Sequence, residues 1–304
     1  MKRRELLQKS AAFSLFAAIP FPAAGKSFVI GADADSPTAT ASPLKPPAHG
    51  SIPVAFLVSE GAVLIDFSGP WEVFGNVMVP GRKDQPFRLY TVSETAKPFR
   101  AGGMQIIPDY TIETAPAPKV IVIPAQSDGT EAVLQWIRKS SKNADVTMSV
   151  CTGAYLLAQT GLLAGKAATT HHASYVDLAT KFPDIQVVRG VRFVEERNLA
   201  SSGGLSSGID LAFRVVERYY GREVAKQTAF DMEYQGQGWM DRESNAIYAK
   251  VRTSSNDHPL CAVCSMAVDV ASAPTSAYKG TTYYFCSADH KAQFDAAPAK
   301  FITE

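Results

Sequence analysis

Four short runs of apolar and β-branched residues, at positions 52–58, 87–92, 119–124 and 146–150, punctuate the first half of the chain. Each is nearly continuous in apolar character and too short for a core helix, as strands buried on both faces of a parallel sheet are. Helix-period stretches lie between and after them, at 71–77, 131–139, 152–163, 175–181, 206–220 and 224–234. Strands alternating with helices predict an α/β sandwich around a mostly parallel sheet. The rhythm fades over 236–258, which reads as an extension and linker. The last stretch, 259–304, is small enough to need a metal or disulfide staple.

The opening residues, MKRRELLQKSAAFSLFAAIPFPAAG, place Lys2, Arg3 and Arg4 before an apolar run broken by Ser14 and two prolines. That run is too short to span about 30 Å of hydrocarbon, so residues 1–34 read as a signal peptide with an A-x-A cleavage site at Ala32-Asp33-Ala34. Arg3-Arg4 resembles a twin-arginine export signal, with an ordinary secretory signal as the alternative. A periplasmic or otherwise extracytoplasmic protein without stable membrane insertion is expected. Residues 35–50, rich in Pro, Ala, Ser and Thr, form a linker, which leaves 51–235 as the main domain.

Composition narrows the picture further. Of 304 residues 46% are hydrophobic, enough for a packed core and too many for a disordered chain. Thirty Lys and Arg balance 29 Asp and Glu, so no basic excess points to a nucleic-acid partner. Of the four cysteines, Cys151 stands alone and the other three crowd into the tail.

Cys151 closes the apolar run 146–150 and opens a helix-period stretch, with Gly153 and Ala154 small enough for a sharp turn. Such a strand-to-helix elbow presents a side chain at the carboxyl edge of the sheet, where open α/β folds bind ligands. A helix N-terminus favours negative charge, so it is expected to lower the thiol pKa and populate the thiolate. A buried, inert cysteine at a strand end is the competing reading.

The segment SVCTGAYLLAQTGLLAGKAATTHHA resembles the signature of the ThiJ/PfpI superfamily, which has a class I glutamine-amidotransferase-like (flavodoxin-like) fold. The likeness runs from Pro53 to about Tyr234 and includes VLIDFSGPWEVF, VIVIPA, RFVEERNLASSGG and GIDLAFRVVERYYG. Within the superfamily it is similar to isonitrile hydratases and to the amino-terminal domains of AraC-type regulators. The resemblance implies that Cys151 is the nucleophile, that Asp66 is the acid beside it, and that Thr152, standing where peptidase-like members carry histidine, is catalytic too and helps Asp66 move the proton. It also implies that His171 approaches the nucleophile, while His172 replaces a usual tryptophan. One departure concerns the oxyanion pocket expected around Ala125, Gln126 and Gly153. Pro124-Ala125-Gln126 stands where hydratase-like proteins usually read Pro-Gly-Gly. Ala125 can still donate its N–H if its φ is negative, and Gln126 could offer a side-chain amide instead.

In the tail, Cys261, Cys264, Cys286 and His290 follow the spacing C-x2-C-x21-C-x3-H. Two close pairs of soft or borderline donors suit one tetrahedral Zn²⁺, or copper as Cu(I). A Cys261–Cys264 or Cys264–Cys286 disulfide is the alternative outside the cytoplasm. The tail resembles a YHS domain through CSMAVD (264–269), YKG (278–280), YYFCS (283–287) and Phe294-Asp295 with Pro298, which implies heavy-metal handling.

These readings predict a cysteine-dependent hydro-lyase converting an isonitrile and water to an N-substituted formamide, with no organic cofactor and a metal ion in the tail. A non-catalytic small-molecule sensor or heavy-metal-handling protein is the alternative. A small-molecule substrate, a metal ion and a second copy of the chain, as a homodimer, are the expected partners.

Overall fold

The computed structural model describes residues 41–249, 259–264 and 266–302. The expected signal peptide, residues 35–40 of the first linker and residues 250–258 of the second lie outside them.

In chain order the strands are β1 (Ile52–Leu57), β2 (Phe87–Ser93), β3 (Phe99–Ala101), β4 (Met104–Ile106), β5 (Tyr110–Thr111), β6 (Val120–Ile123) and β7 (Val146–Val150). Then come β8 (Ala167–Ala168), β9 (Gln186–Val187), β10 (Phe193–Glu196), β11 (Leu199–Ser202), β12 (Thr275–Tyr278) and β13 (Thr281–Tyr284). The α-helices are α1 (Leu64–Gly75), α2 (Glu131–Ser141), α3 (Gly153–Gln159), α4 (Tyr175–Lys181), α5 (Ser206–Tyr220), α6 (Arg222–Asp231) and α7 (Ala288–Ala296).

Seven strands form one sheet in the order β10-β11-β7-β6-β1-β2-β5. All its pairings are parallel except β10 with β11. The pleat sends Val54 and Phe56 to one face and Ala55 and Leu57 to the other. The first face packs against α1, α5 and α6, the second against α2, α3 and α4. The fold is thus an α/β flavodoxin-like sandwich. β2 and β6 flank β1 on opposite sides, and the helices after β1 and β6 cover opposite faces. The connections therefore part at the carboxyl ends of β1 and β6 and open a crevice there.

Two helices differ most from the periodicity. α1 starts at Leu64 rather than 71, with the turn signals Gly69 and Pro70 inside it. Pro70 lacks an N–H, so it forgoes only the helical bond to the Asp66 carbonyl. Gly69 permits a close approach, because a Cβ there would lie 2.7 Å from Ile209 of α5. α3 stops at Gln159 instead of 163, since Gly161 turns the chain with φ +78°.

The tail holds the β12–β13 hairpin, α7 and a small core of Cys261, Val263, Cys264, Phe285 and Phe294. Tyr283 packs its ring 4.9 Å from that of Phe294, in keeping with a core role. No helix among the described residues is long and apolar enough to cross a membrane.

Gly208 lets α5 close on β7 directly beneath the elbow, because a Cβ there would lie 2.6 Å from Val150 Cγ1. Gly208→Ala is expected to destabilise the protein by about 1–3 kcal/mol through overpacking. A urea midpoint unchanged or raised, as Gly→Ala gives on an open helix surface, would contradict that packing.

Candidate active site and metal centre

The elbow follows from backbone geometry. Cys151 has φ +57°, in the left-handed region that a non-glycine residue seldom occupies. Its N–H donates to the Gly203 carbonyl, and its own carbonyl accepts from Thr170 Oγ1 at 2.9 Å. Gly153 is required for packing: a Cβ would lie 2.2 Å from the Ile123 carbonyl oxygen and 2.7 Å from that of Pro124. The tight turn thus seats the start of α3 on the end of β6.

Asp66 reaches the same edge from the first turn of α1 and is fully buried. Two backbone links hold it there. The Val63 N–H donates to the Ala125 carbonyl at 2.8 Å, and the Ala125 N–H donates to Asp66 Oδ2 at 3.1 Å. Asp66 Oδ1 has no hydrogen-bond partner. Burial pushes this carboxyl from an ordinary 3.8 up to about 6, opposed only by the Ala125 N–H.

Cys151 is also buried. Burial first, and the neighbouring Asp66 charge second, push its thiol up to about 12. The N–H groups of Thr152 and Leu205 and the Thr152 hydroxyl point at the sulfur and pull the other way, but they do not prevail. The low thiol pKa expected from the elbow is therefore corrected. A short helix and two N–H groups cannot offset both desolvation and a carboxylate. At neutral pH the pair is a thiol beside a carboxylate, holding one proton between them.

Of the residues assigned to an oxyanion pocket, Ala125 is not among the described residues with positive φ, so its side chain fits the turn. Its N–H, however, is committed to Asp66. The Gln126 side-chain amide donates to the Leu57 carbonyl at 2.9 Å, and Gln126 lines a hollow with Leu57, Glu94 and Leu156 in place of the thiol crevice. His171 packs its ring where a Gly204 Cβ would be, 2.3 Å from Cδ2, and its Nδ1 accepts from the Ala173 N–H. No hydrogen bond joins His171 to Cys151 among the described residues. Burial and the adjacent His172 lower its pKa, so it is neutral near pH 7. His172 stacks on Tyr248 at 4.9 Å.

Leu205 escaped the sequence reading. It caps α5 with φ +52°, half-exposed, while its N–H faces the sulfur. The signal was the Gly203-Gly204 pair just ahead of an amphipathic run. Leu205 also lines a cavity of ≈ 210 Å³ with His171, His172, Arg192, Asn245 and Tyr248. Arg192 is spoken for, since it is ion-paired with the buried Asp210.

In the tail, the donor atoms of Cys261, Cys264, Cys286 and His290 all lie within 4.8 Å of one another. Cys264 Sγ is 3.6 Å from Cys286 Sγ, and His290 Nδ1 is 3.5 Å from Cys261 Sγ and 3.1 Å from Cys286 Sγ. A tetrahedral ion with bonds of about 2.3 Å to sulfur needs edges of roughly 3.7 Å. The Cys264–Cys286 separation fits that edge, and all four tail and elbow cysteines are free thiols. The cluster has the donor set and size for a metal such as zinc.

A flavodoxin-like sandwich with a cysteine elbow beside a buried carboxyl defines a class of α/β proteins. The chain belongs to the DJ-1/PfpI family, whose model matches residues 53–218. It is 30% identical to the isonitrile hydratase of Pseudomonas putida over 190 residues, covering 60% of this chain and 79% of that protein. The HTH-type transcriptional regulator CdhR of Pseudomonas aeruginosa is 26% identical over 47% of this chain and 44% of its own length. A ThiJ/PfpI family protein from Pseudomonas syringae superposes with a TM-score of 0.54 at 26% identity, covering 62% of this chain and 76% of that one. Drosophila melanogaster DJ-1beta shares the fold, with a TM-score of 0.52 at 16% identity over 61% of this chain and its own full length.

Asp66→Asn separates the two groups of the pair. Removing the carboxylate takes away a charge that raises the thiol, so the pH midpoint of Cys151 labelling by iodoacetamide should move down in the variant. The same variant tests linkage. Because the folded carboxyl sits near 6 and the unfolded one near 3.8, the unfolded chain releases its proton first, and stability falls as pH rises from about 4 to 6. That fall is about 3 kcal/mol and should be absent in Asp66→Asn, read from denaturation midpoints. An unchanged labelling midpoint and equal pH slopes would refute the coupling.

Proposed function

We propose that this protein is an exported, cysteine-dependent hydro-lyase of the isonitrile hydratase type whose tail is a metal-binding YHS-like domain. The buried Asp66–Cys151 pair at the crevice carries this reading, supported by the 30% identity to an isonitrile hydratase. The Arg3-Arg4 opening supports export.

The pair suits an uncharged substrate, because an isonitrile R–N≡C reaches these buried groups at little desolvation cost. Asp66 takes the thiol proton as the Cys151 sulfur bonds to the terminal carbon. It then delivers that proton to the same carbon, giving R–N=CH–S–Cys151. Water adds to this carbon, its first proton passing by way of Asp66 to the nitrogen. The C–S bond breaks, the thiolate recovers the hydroxyl proton, and R–NH–CHO leaves. The net change is addition of one water. The Thr152 and Leu205 N–H groups hold the sulfur whenever it carries charge. The high thiol pKa keeps Cys151 protonated until substrate arrives, and the carboxylate near 6 is ionised to receive the proton.

Formamide production from a panel of simple isonitriles, followed by chromatography, tests the reading. Cys151→Ser and Asp66→Asn should each lower kcat at least 100-fold, and kcat/KM should fall as pH drops below about 6, where Asp66 takes up its own proton. No turnover with any isonitrile would leave the crevice a binding site. The family's regulators and the four-donor tail cluster support that sensor or metal-handling alternative.

For the tail, the reading has Cys261, Cys264, Cys286 and His290 hold one zinc, or copper, per chain. The ion supplies a structural cross-link that a five-residue core cannot. Chelation should expose the backbone of residues 259–302 to hydrogen exchange while the sheet stays protected. Protection unchanged by chelation, with a disulfide seen by mass spectrometry, would refute it.

A further inference from the structure

Outside the crevice, one buried carboxylate has an oxygen that nothing satisfies and a metal-ligating side chain in front of it. Asp177 lies on α4 of the main domain, with only 7% of its side chain exposed. Its Oδ2 accepts from Tyr155 Oη at 2.6 Å and pairs with Lys181 Nζ at 3.2 Å. Its Oδ1 is buried without a hydrogen-bond partner. The group facing Oδ1 is His290 Nε2, 3.8 Å away, in the tail.

The orientation of that imidazole decides the matter. Nδ1 is the nitrogen turned towards the sulfurs of Cys261 and Cys286, so Nε2 is the nitrogen left over. A histidine that binds metal through Nδ1 must carry its proton on Nε2, and ligation makes that N–H a stronger donor. An unsatisfied buried carboxylate oxygen is the acceptor such a donor needs. Tyr155 and Lys181 fix the other oxygen, so Oδ1 is already aimed. We propose that Asp177 is the outer carboxylate of the tail's metal centre, so that metal loading fastens the tail onto the main domain. Asp177 is a positioning residue: it sets the tautomer and tilt of His290. Tyr155 belongs to α3, the helix that starts at the elbow, so the same carboxylate ties the metal centre to the Cys151 helix.

The inference rests on the reading of the four tail residues as metal ligands, and the test keeps the two apart. Zinc affinity of the full chain is measured by competition with a chromophoric chelator, alongside the absorption of the cobalt-loaded protein. Asp177→Asn should weaken zinc 10- to 100-fold while the cobalt bands keep their tetrahedral, thiolate-rich form. Tyr155→Phe leaves Lys181 holding Oδ2 and leaves Oδ1 in place, so it should change affinity less than about 3-fold on the same scale. In the zinc-loaded parent, nitrogen-15 NMR should show a slowly exchanging proton on His290 Nε2, a readout that needs no variant to fold. A parent chain that binds no zinc would overturn the metal site itself. Zinc bound with equal affinity by Asp177→Asn, an equal loss in Tyr155→Phe, or a freely exchanging Nε2 proton would overturn the role of Asp177 alone.

Discussion

A carboxyl group sealed from water, with one backbone N–H to stabilise it and a thiol beside it, sets the terms for the main domain. Desolvation disfavours charge on both groups, and the charge of either disfavours charge on the other. The sheet has to hold them together against that penalty. It does so by placing the start of α1, the end of β6 and the end of β7 side by side at the point where the connections diverge. The link from Val63 to Ala125 and the link from Ala125 to Asp66 form a two-bond clasp across that point. Hydrophobic packing on both faces of the sheet then makes the clasp rigid.

Much of this was legible in the chain. The strands at 52–57, 120–123 and 146–150 stand out as apolar or β-branched runs because they are buried on both faces, whereas 87–93, with Arg88 exposed, was readable from its aromatic and β-branched residues. α5 was readable over its whole length, since its one wet face leaves a clear 3.6-residue period. The cysteine elbow was legible because Gly153 and Ala154 follow Cys151 within three residues, just past the strand's end. The start of α1 was not: Gly69 and Pro70 look like a turn, and only the close approach of Ile209 shows why glycine stands inside a helix. Nor was the state of the thiol. The resemblance put Asp66 beside Cys151, but burial is a property of the assembled layers, and no local pattern announces that both groups will be sealed from water.

The tail repeats the lesson in another form. Ligand spacing alone brought Cys261, Cys264, Cys286 and His290 together as candidates, and the fold gathers them within one ion's reach. The environment around them could not be read the same way. Asp177 sits in an ordinary helix-period stretch, and its environment depends on Tyr155 and on the surface the tail meets. Donors to an ion recur at fixed intervals because a loop or a helix turn delivers them. Their supporting groups come from wherever the chain happens to pass.

Ala125 has a consequence that concerns the unfolded chain. The turn accepts an L side chain without a positive φ, so the alanine causes no strain in the folded state. Where a glycine would leave this segment free to roam, Pro124-Ala125-Gln126 confines it before folding begins. A residue compatible with its native angles in place of glycine gains about 0.4–1 kcal/mol from conformational entropy never lost. The segment that grips Asp66 is therefore partly set in shape before the sheet assembles around it.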